Sequence, residues 1–399
     1  MADVTQGRTD GEPDSAMSGS RPRLVYVIPH LSEDESEHFA HIPALLAALG
    51  NRVDVAVAVE RGTPPARLAG VRLLTRVPGR SRVGRMIGTA LTVHRLSRAG
   101  YRTYFLRYST LFVIVLLLTY PLYRNRILLW RSGLAELREP GQRTSLRQRG
   151  QHAVNLVTAR LVHCLVTGPE TMVPRMAGLW GVPRHRMRLL YNDIDTERFS
   201  PLSAEARAEA RARLGWSEGE FILLFVHRLS FRRGTRLLAP LLKALLSGAE
   251  DPRGARVRLI VVGDGPDRPL LTREAADPAL DGRMLLLGAV PNRDLPELYA
   301  AADCVVMPSY EEGFPRVLLE AMACGTPVVT TDAGGSADVV GAGYPYVARV
   351  GNLDALATHV RSVMDRPYAD RCAMGLLLRR RAQKEFSPER VAEMFEAIL

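Results

Sequence analysis

"ADCVVMPSYEEGFPRVLLEAMACGTPVVTTD", residues 302–332, decides the fold. The β-branched run ending at Met307 reads as a buried strand and "YEEGF" as a loop. The apolar stretch from Pro315 to the helix-ending Gly325 reads as a helix. Pro315 fits the first helical turn, where a missing N–H is harmless. "TPVVTT" is then a second buried strand, and two apolar strands joined by a helix predict a parallel sheet covered on both faces. Three carboxylates interrupt this apolar setting: Glu311 and Glu312 in the loop, and Glu320 in the helix with seven residues between it and Glu312.

The same alternation runs outward from this unit. "RLVYVIPH", "HIPALLAALG" and "RVDVAVAVE" form strand, helix and strand near the start, and "YRTYFLRY", "RILLWRS" and "LVHCLVTG" supply further strands. A second series begins at "EFILLFVHRLS" and continues through "VRLIVVGDGP", "RMLLLGAV" and the stretch quoted above to "GYPYVARV". A chain of 399 residues exceeds what one core usually serves. The expectation is therefore an α/β protein of two Rossmann-like domains whose strand ends face each other across a cleft. Residues 1–20 read as a disordered polar tail without a signal peptide's apolar core, 21–199 as the first domain, and 200–218, rich in Ala, Arg and Glu, as an exposed interdomain helix. Residues 219–385 read as the second domain and 386–399 as a closing helix.

Charge is unevenly spread. Residues 1–200 hold 28 Arg, no Lys and 16 acidic residues, and within 51–150 there are 19 Arg against 4 acidic residues. Codon bias would raise Arg content, since Lys occurs only at Lys243 and Lys384, but would not remove acids from one window. A positive face toward a polyanion or an anionic membrane is the functional reading. "GRSRVGRMIGTALTVHRLSRAG", residues 79–100, reads as a basic amphipathic helix, with Arg80, Arg82, Arg85, Arg95 and Arg98 around Val83, Met86, Ile87, Leu91 and Leu96. Such a helix either lies on an anionic membrane, each basic residue contributing about 1 kcal/mol there, or turns its apolar side to the core. "LFVIVLLLTYPLY", residues 111–123, is too short to span a bilayer and reads as a buried helix. No aromatic-interleaved basic strand supports nucleic-acid binding. The four cysteines, Cys164, Cys304, Cys324 and Cys372, lack paired spacing, as in a reduced, cytoplasmic chain.

Two further strand ends carry candidate ligand groups. In "HRLSFRRGTRLL", Arg228 and Arg233 flank a turn closed by Gly234, either a grip for a diphosphate or a solvated basic loop. In "VVGDGPDRPLL", Gly263 and Gly265 around Asp264 permit close approach of backbone to ligand, or make only a tight turn. Glu312 and Glu320 suit hydroxyl chelation, as carboxylates do for ribose.

The frame "EGFPRVLLEAMACGTPVV", with seven residues between its two glutamates, followed by "AGGSADVV", resembles the signature of the retaining GT-B glycosyltransferases of family 4, glycosyl transferases group 1. "HRLSFRRG", "VVGDGP", "YNDIDTERFSP" at 191–201 and the terminal "EFSPERVAEMFEAIL" are similar to its other motifs, in order, over nearly all of 190–399. The resemblance implies a GT-B fold whose C-terminal helix crosses back to the first domain. It also implies metal-independent and cofactor-free transfer of a hexose with retention from a nucleotide-diphosphate sugar, of UDP or GDP. On that resemblance Arg228 and Arg233 hold the donor diphosphate, Glu312 the transferred sugar's hydroxyls and Glu320 the ribose. Gly263, Asp264, Gly265, Phe314, Pro315, Arg316 and Val317 complete the donor site.

Three positions depart from the family. Arg233 stands where Lys is usual. The first loop, "HLSEDESEHFAHI", has no glycine pair, and its acids Glu33, Asp34, Glu35 and Glu37 would repel a diphosphate, which assigns it to the acceptor side. "LLWRSG" offers Arg131 and Ser132 where a His is frequent, leaving His38 and His41 as candidate contacts or plain structural histidines. The expected acceptor is a lipid-linked or polysaccharide-precursor glycan at the inner face of the membrane, with Glu33, Asp34, His38 and Arg131 on its side. The alternatives are a soluble enzyme acting on a small secondary metabolite, or a nucleotide-sugar epimerase or binding protein of the same fold. Nucleic acid is not an expected partner.

Overall fold

Apolar strands buried on both faces can be satisfied only inside a helix-covered parallel sheet, and the chain builds two. The computed structural model describes residues 21–31, 42–133, 145–247 and 257–399. The first sheet contains β1 (Arg23–Ile28), β2 (Asp54–Val59), β3 (Val71–Arg76), β4 (Thr103–Arg107), β5 (Arg126–Trp130), β6 (Cys164–Thr167) and β7 (Met187–Leu189). Its order is β3-β2-β1-β4-β5-β6-β7, with every pair parallel. Its helices are α1 (Ile42–Gly50), α2 (Arg82–Arg98), α3 (Thr110–Leu118), the single turn α4 (Tyr120–Tyr123), α5 (Leu146–Leu161) and α6 (Met172–Trp180). Period-two alternation sends Val25 and Val27 into one core and Leu24, Tyr26 and Ile28 into the other.

The second sheet repeats the plan with β8 (Phe221–Val226), β9 (Val257–Val262), β10 (Met284–Gly288), β11 (Cys304–Met307), β12 (Val328–Thr331) and β13 (Val347–Ala348), ordered β10-β9-β8-β11-β12-β13. Around it lie α7 (Ala204–Arg213), α8 (Leu238–Leu246), α9 (Arg268–Ala275), α10 (Leu295–Ala301), α11 (Arg316–Ala323), α12 (Ser336–Val340) and α13 (Leu353–Met364). The expected strands are present. Two edge strands went unread: β3 is largely exposed, so it lacks the apolar signature, and β7 has three residues.

The chain closes with α14 (Tyr368–Phe386) and α15 (Pro388–Ile398). Ser387, in extended conformation, breaks the helix and caps the next one by accepting from the Arg390 amide. α15 then packs on α1 of the first domain. Phe395 reaches Phe105 edge-on at 4.6 Å and Tyr26 at 6.0 Å, and Arg52 pairs with Glu393 and Glu396 at 2.9 and 2.8 Å. The crossing helix is thus held by first-domain core packing.

One helical segment differs from expectation. The 200–218 segment is not an exposed spacer: α7 lies on the second domain, with Ala210 and Arg211 buried. Arg211 and Arg207 both pair with Asp303 at 3.0 Å, and Arg211 also donates to the carbonyls of Ser217, Glu220 and Ala301. Ala210 and Trp216 of the same segment join the second domain's apolar core. In α2 the core takes Gly88, Thr89, Thr92, Val93, Leu96 and Ser97, while Val83, Met86, Ile87 and Leu91 are exposed to solvent. In α3 the core takes Phe112, Val113, Val115 and Leu116, as expected, but Leu118 is exposed. Among the described residues no helix is long and apolar enough to cross a membrane.

Candidate active site

Parallel strands deliver their following loops to one edge, and in the second sheet the loops after β8, β9, β11 and β12 meet there. Glu312, in the loop after β11, is buried. Its Oε1 accepts from Ser309 Oγ at 2.8 Å and lies 3.1 Å from His227 Nε2, while Oε2 lies 2.5 Å from the Arg233 guanidinium. The Arg228 amide donates to His227 Nδ1 at 2.8 Å, which leaves Nε2 to carry the proton donated to Glu312. Burial alone would raise the Glu312 carboxyl, but the imidazole, the guanidinium and the hydroxyl outweigh it and hold it down to about 2. Glu312 is therefore a fixed anion, suited to gripping hydroxyls rather than to giving a proton.

The surrounding loops approach too closely for ordinary residues. Gly263, at φ 131°, lies against the His227 carbonyl, where a Cβ would come within 1.9 Å. Leu229 N donates to Asp264 O at 2.9 Å, locking the β8 and β9 loops together, and the exposed Asp264 carboxylate takes its own next amide, Gly265, and Arg268. Gly334, at φ 54°, would drive a Cβ to 1.9 Å from the Glu312 carbonyl. Gly335 N donates to Gly313 O at 3.0 Å.

The Glu312 loop also meets the first domain. A Cβ on Gly313 would press on Ser132, and one on Gly168 would meet the Phe314 ring. Phe314 is buried, stacks on Tyr191 at 5.2 Å and gives its carbonyl to Asn192 Nδ2 at 2.9 Å. Thr171 Oγ1 reaches Asp338 at 2.7 Å and the Gly334 carbonyl at 3.2 Å. Pro315 is the N-cap of α11, one residue earlier than the first turn expected for it. Arg316 and Val317 open that helix, and no side chain caps the start.

The other expected residues take distinct places. Arg228 is exposed, with its side chain unengaged by the described residues, whereas Arg233 is committed to Glu312 and to the Glu311 carbonyl at 2.7 Å. Glu320 is buried in a separate set: Oε2 accepts from Tyr299 at 2.9 Å and Oε1 faces Arg316 Nε at 3.9 Å. Arg316 in turn donates to the Asp193 carbonyl at 3.1 Å. The two glutamates share no partner among the described residues. Arg131 lies two residues before the Gly133 contact to Gly313, with its guanidinium donating to Asn155 and lying 5.7 Å from the Tyr108 ring. Glu33, Asp34, Glu35, Glu37, His38 and His41 lie outside the described residues. Sequence reasoning missed His227 and Ser309. His227 ends the strand "FILLFVH" immediately before Arg228, and that strand-end position was the available signal.

Two parallel-sheet domains with a cleft edge rich in loops and a C-terminal helix returning to the first domain define the GT-B architecture. The structure of Anabaena Alr3699/HepE in complex with UDP-glucose superposes on this chain with a TM-score of 0.71 at 18% identity, covering 94% of this chain and 99% of that one. Residues 206–376 match the model of the family glycosyl transferases group 1. A D-inositol 3-phosphate glycosyltransferase of Salinispora arenicola is 35% identical over 43% of this chain and 40% of its own length. A GDP-mannose-dependent monoacylated alpha-(1-6)-phosphatidylinositol monomannoside mannosyltransferase of Corynebacterium glutamicum is 27% identical over 65% of both chains. This chain spans about half the length of the curated relatives it matches.

Proposed function

We propose that the protein is a retaining glycosyltransferase of family 4 that moves a sugar from a nucleotide-diphosphate sugar to a hydroxyl of a lipid-linked or polysaccharide-precursor acceptor at a membrane surface. The observation that carries this is the buried Glu312 carboxylate, fixed by His227, Ser309 and Arg233 beside the first-domain loop at Ser132–Gly133. Glu312 holds the transferred sugar's hydroxyls. Arg228 and Arg233 neutralise the leaving diphosphate, the electrostatic demand of such a reaction. The uncapped start of α11 adds amide donors for donor oxygens, and Glu320 serves the ribose. The acceptor oxygen bonds to the anomeric carbon as the bond to the diphosphate breaks. The acceptor proton passes to the leaving phosphate oxygen on the same face of the sugar. No step calls on a metal or a cofactor.

Membrane action is supported by the first domain's helical layer. α2 packs on α3 and α3 on α5. Their outer sides expose Val83, Ile87, Leu91, Leu118, Val157 and Leu161. Between Glu60 and Glu170 the only acids are Glu136 and Glu139. An apolar ridge rimmed by arginine and almost free of acids suits the interface of an anionic bilayer. The reading is tested by thermal stabilisation with UDP, GDP, TDP and their sugars, since a ligand that binds only the folded state raises the melting midpoint. A failure of every nucleotide to raise it would overturn the assignment.

A further inference from the structure

At the amino ends of the strands that deliver the Glu312 cluster, the second domain carries two adjoining cavities of about 440 and 200 Å³. Phe221 opens β8, Asp303 precedes β11 and Pro327 precedes β12, so the cavities lie at the other end of the sheet from Glu312. Arg207, Asp303, Tyr368 and Arg371 line both. α7 forms one wall and α14 another. α7 follows the chain's first passage between the domains, and α14 runs into the second, through Ser387 to α15.

Charge is out of balance at this junction. Asp303 accepts from the Ile222 amide at 2.9 Å, from Arg207 and Arg211 at 3.0 Å each and from Arg371 at 3.2 Å. A carboxylate offers about four lone-pair sites, so Asp303 is saturated, yet it answers three guanidinia with one negative charge. Arg211 is 3% exposed and spends its remaining Nη hydrogens on the carbonyls of Ser217, Glu220 and Ala301. Its Nε and that of Arg371 are buried and make no hydrogen bond with the described residues, so two buried donors stand without acceptors. In the smaller cavity Asp303 is the one acidic residue among the described lining. The larger adds Glu218, which is exposed, and Glu220, which is committed to Arg258 at 3.0 Å and to the Ser217 amide at 2.9 Å.

Aromatic rings hold the two outer guanidinia in place. Arg207 and Arg371 lie over the Tyr368 ring, 5.0 and 5.7 Å from its centroid, and Arg371 also lies over Phe221 at 5.5 Å. A stacked guanidinium is a preorganised fork, and little freedom is lost when it grips an oxyanion. Both side chains stay partly open to solvent, at 17% and 16%, so an ion can reach them. The larger cavity beside them has the size of a small-molecule site, about 300–1,000 Å³, with Phe221 and Met364 as its apolar wall.

We propose that this junction is a phosphate-binding site separate from the transfer site, where Arg207 and Arg371 grip a phosphate dianion, free or carried on a small metabolite. Two uncompensated guanidinium charges match the two charges of the dianion, and the fork geometry matches its oxygens. The bound group ties α7 to α14. The assignment goes beyond sugar transfer and does not depend on it.

Cys372 reports occupancy without any substitution. It lines the smaller cavity and is half-buried, whereas Cys164, Cys304 and Cys324 are buried. At constant ionic strength, inorganic phosphate is expected to slow alkylation of Cys372 by iodoacetamide, followed by peptide mass spectrometry, and chloride is expected to have no effect. Arg207→Gln and Arg371→Gln are each expected to raise the half-protecting phosphate concentration about tenfold, the loss of one charge-assisted contact. Arg207→Gln leaves Arg211, Arg371 and the Ile222 amide on Asp303, so it keeps the test readable should Arg371→Gln fold poorly. Arg228→Ala, at the other end of the sheet, is expected to leave the protection unchanged. Glycerol 3-phosphate protecting at a lower concentration than inorganic phosphate assigns the site to a carried phosphate, and equal concentrations assign it to the free ion. Absence of protection by both phosphates, equal protection by chloride, protection undiminished in Arg207→Gln, or protection lost in Arg228→Ala overturns the proposal.

Discussion

His227 Nε2 lies 3.1 Å from Glu312 Oε1, and the Arg228 amide fixes the other ring nitrogen as the acceptor. One short turn after β8 therefore orients a histidine that in turn holds the carboxylate after β11. The proposed sugar-binding anion is positioned by a neighbouring strand's loop as much as by its own.

Replacing His227 by Phe removes that donor while leaving Ser309 and Arg233 in place. A hydrogen bond to a charged group is worth roughly 1.5–3 kcal/mol, so kcat is expected to fall by about ten- to a hundredfold with UDP binding nearly unchanged. Steady-state kinetics beside a UDP melting series check this. Loss of UDP binding with an intact kcat would contradict the positioning role.

The three carboxylates of the opening stretch separate by substitution. Glu312→Gln is expected to abolish most transfer. Glu320→Ala is expected to weaken nucleotide binding and to destabilise the fold by about 1–3 kcal/mol, because the Tyr299 hydroxyl loses its acceptor in the core. Glu311→Ala, whose carboxylate meets Arg232 at 3.1 Å, is expected to change little. An inactive Glu311 variant with an active Glu312 variant reverses the assignment.

Acid should act on Glu312 specifically. Its carboxyl is held at about 2 against an ordinary 4.5. A depressed folded value means that the ionised group stabilises the native state above the unfolded value and that this contribution disappears as pH falls toward the folded one. The stability gap between the wild type and Glu312→Gln should therefore narrow between about pH 5 and pH 2. Melting curves of both proteins across that range read the effect, and a gap independent of pH would rule it out.

Gly334→Ala tests the close approach behind Glu312. The added Cβ would lie 1.9 Å from the Glu312 carbonyl at a φ of 54°, so the loop must shift. Loss of transfer with little change in far-ultraviolet circular dichroism is expected. Wild-type activity would show that the loop tolerates displacement.

Phe395→Ala tests the crossing helix. Its ring is fully buried against Phe105 and Tyr26, and removal of a core Phe costs about 3–5 kcal/mol. Denaturant unfolding should show that loss. A change below about 1 kcal/mol would mean that α15 is held mainly by Arg52 and its two glutamates.

The membrane reading is checked by sedimentation with anionic vesicles at low and high salt. Serine in place of Val83, Ile87 and Leu91 is expected to reduce binding without lowering the melting midpoint, since exposed positions contribute little to stability. Equal sedimentation of the variant and the wild type would dissociate α2 from the surface.

Much of this was readable in the chain. Runs such as "FILLFV" and "RLVYVI" are apolar without alternation, and only a parallel sheet buried on both faces accommodates them. The glutamates, the glycines and Arg233 stood out because polar or flexible residues at apolar strand ends need a reason. Edge strand β3 lacks that contrast, and nothing local says that a histidine just after one strand faces a carboxylate in the loop after another.

By itself the order of residues determined the two-sheet plan and set Glu312, Arg228 and Arg233 at strand ends, which follows from local periodicity and short motifs. Tertiary packing alone decided the partners. It paired Glu320 with Tyr299 rather than with any group around Glu312, buried Arg211 in a helix that looked wholly solvated, and turned Ile87 and Leu91 outward. Which face of a helix is buried, and which donor meets which carboxylate, depends on the neighbouring layer, and that information is spread over residues far apart in sequence.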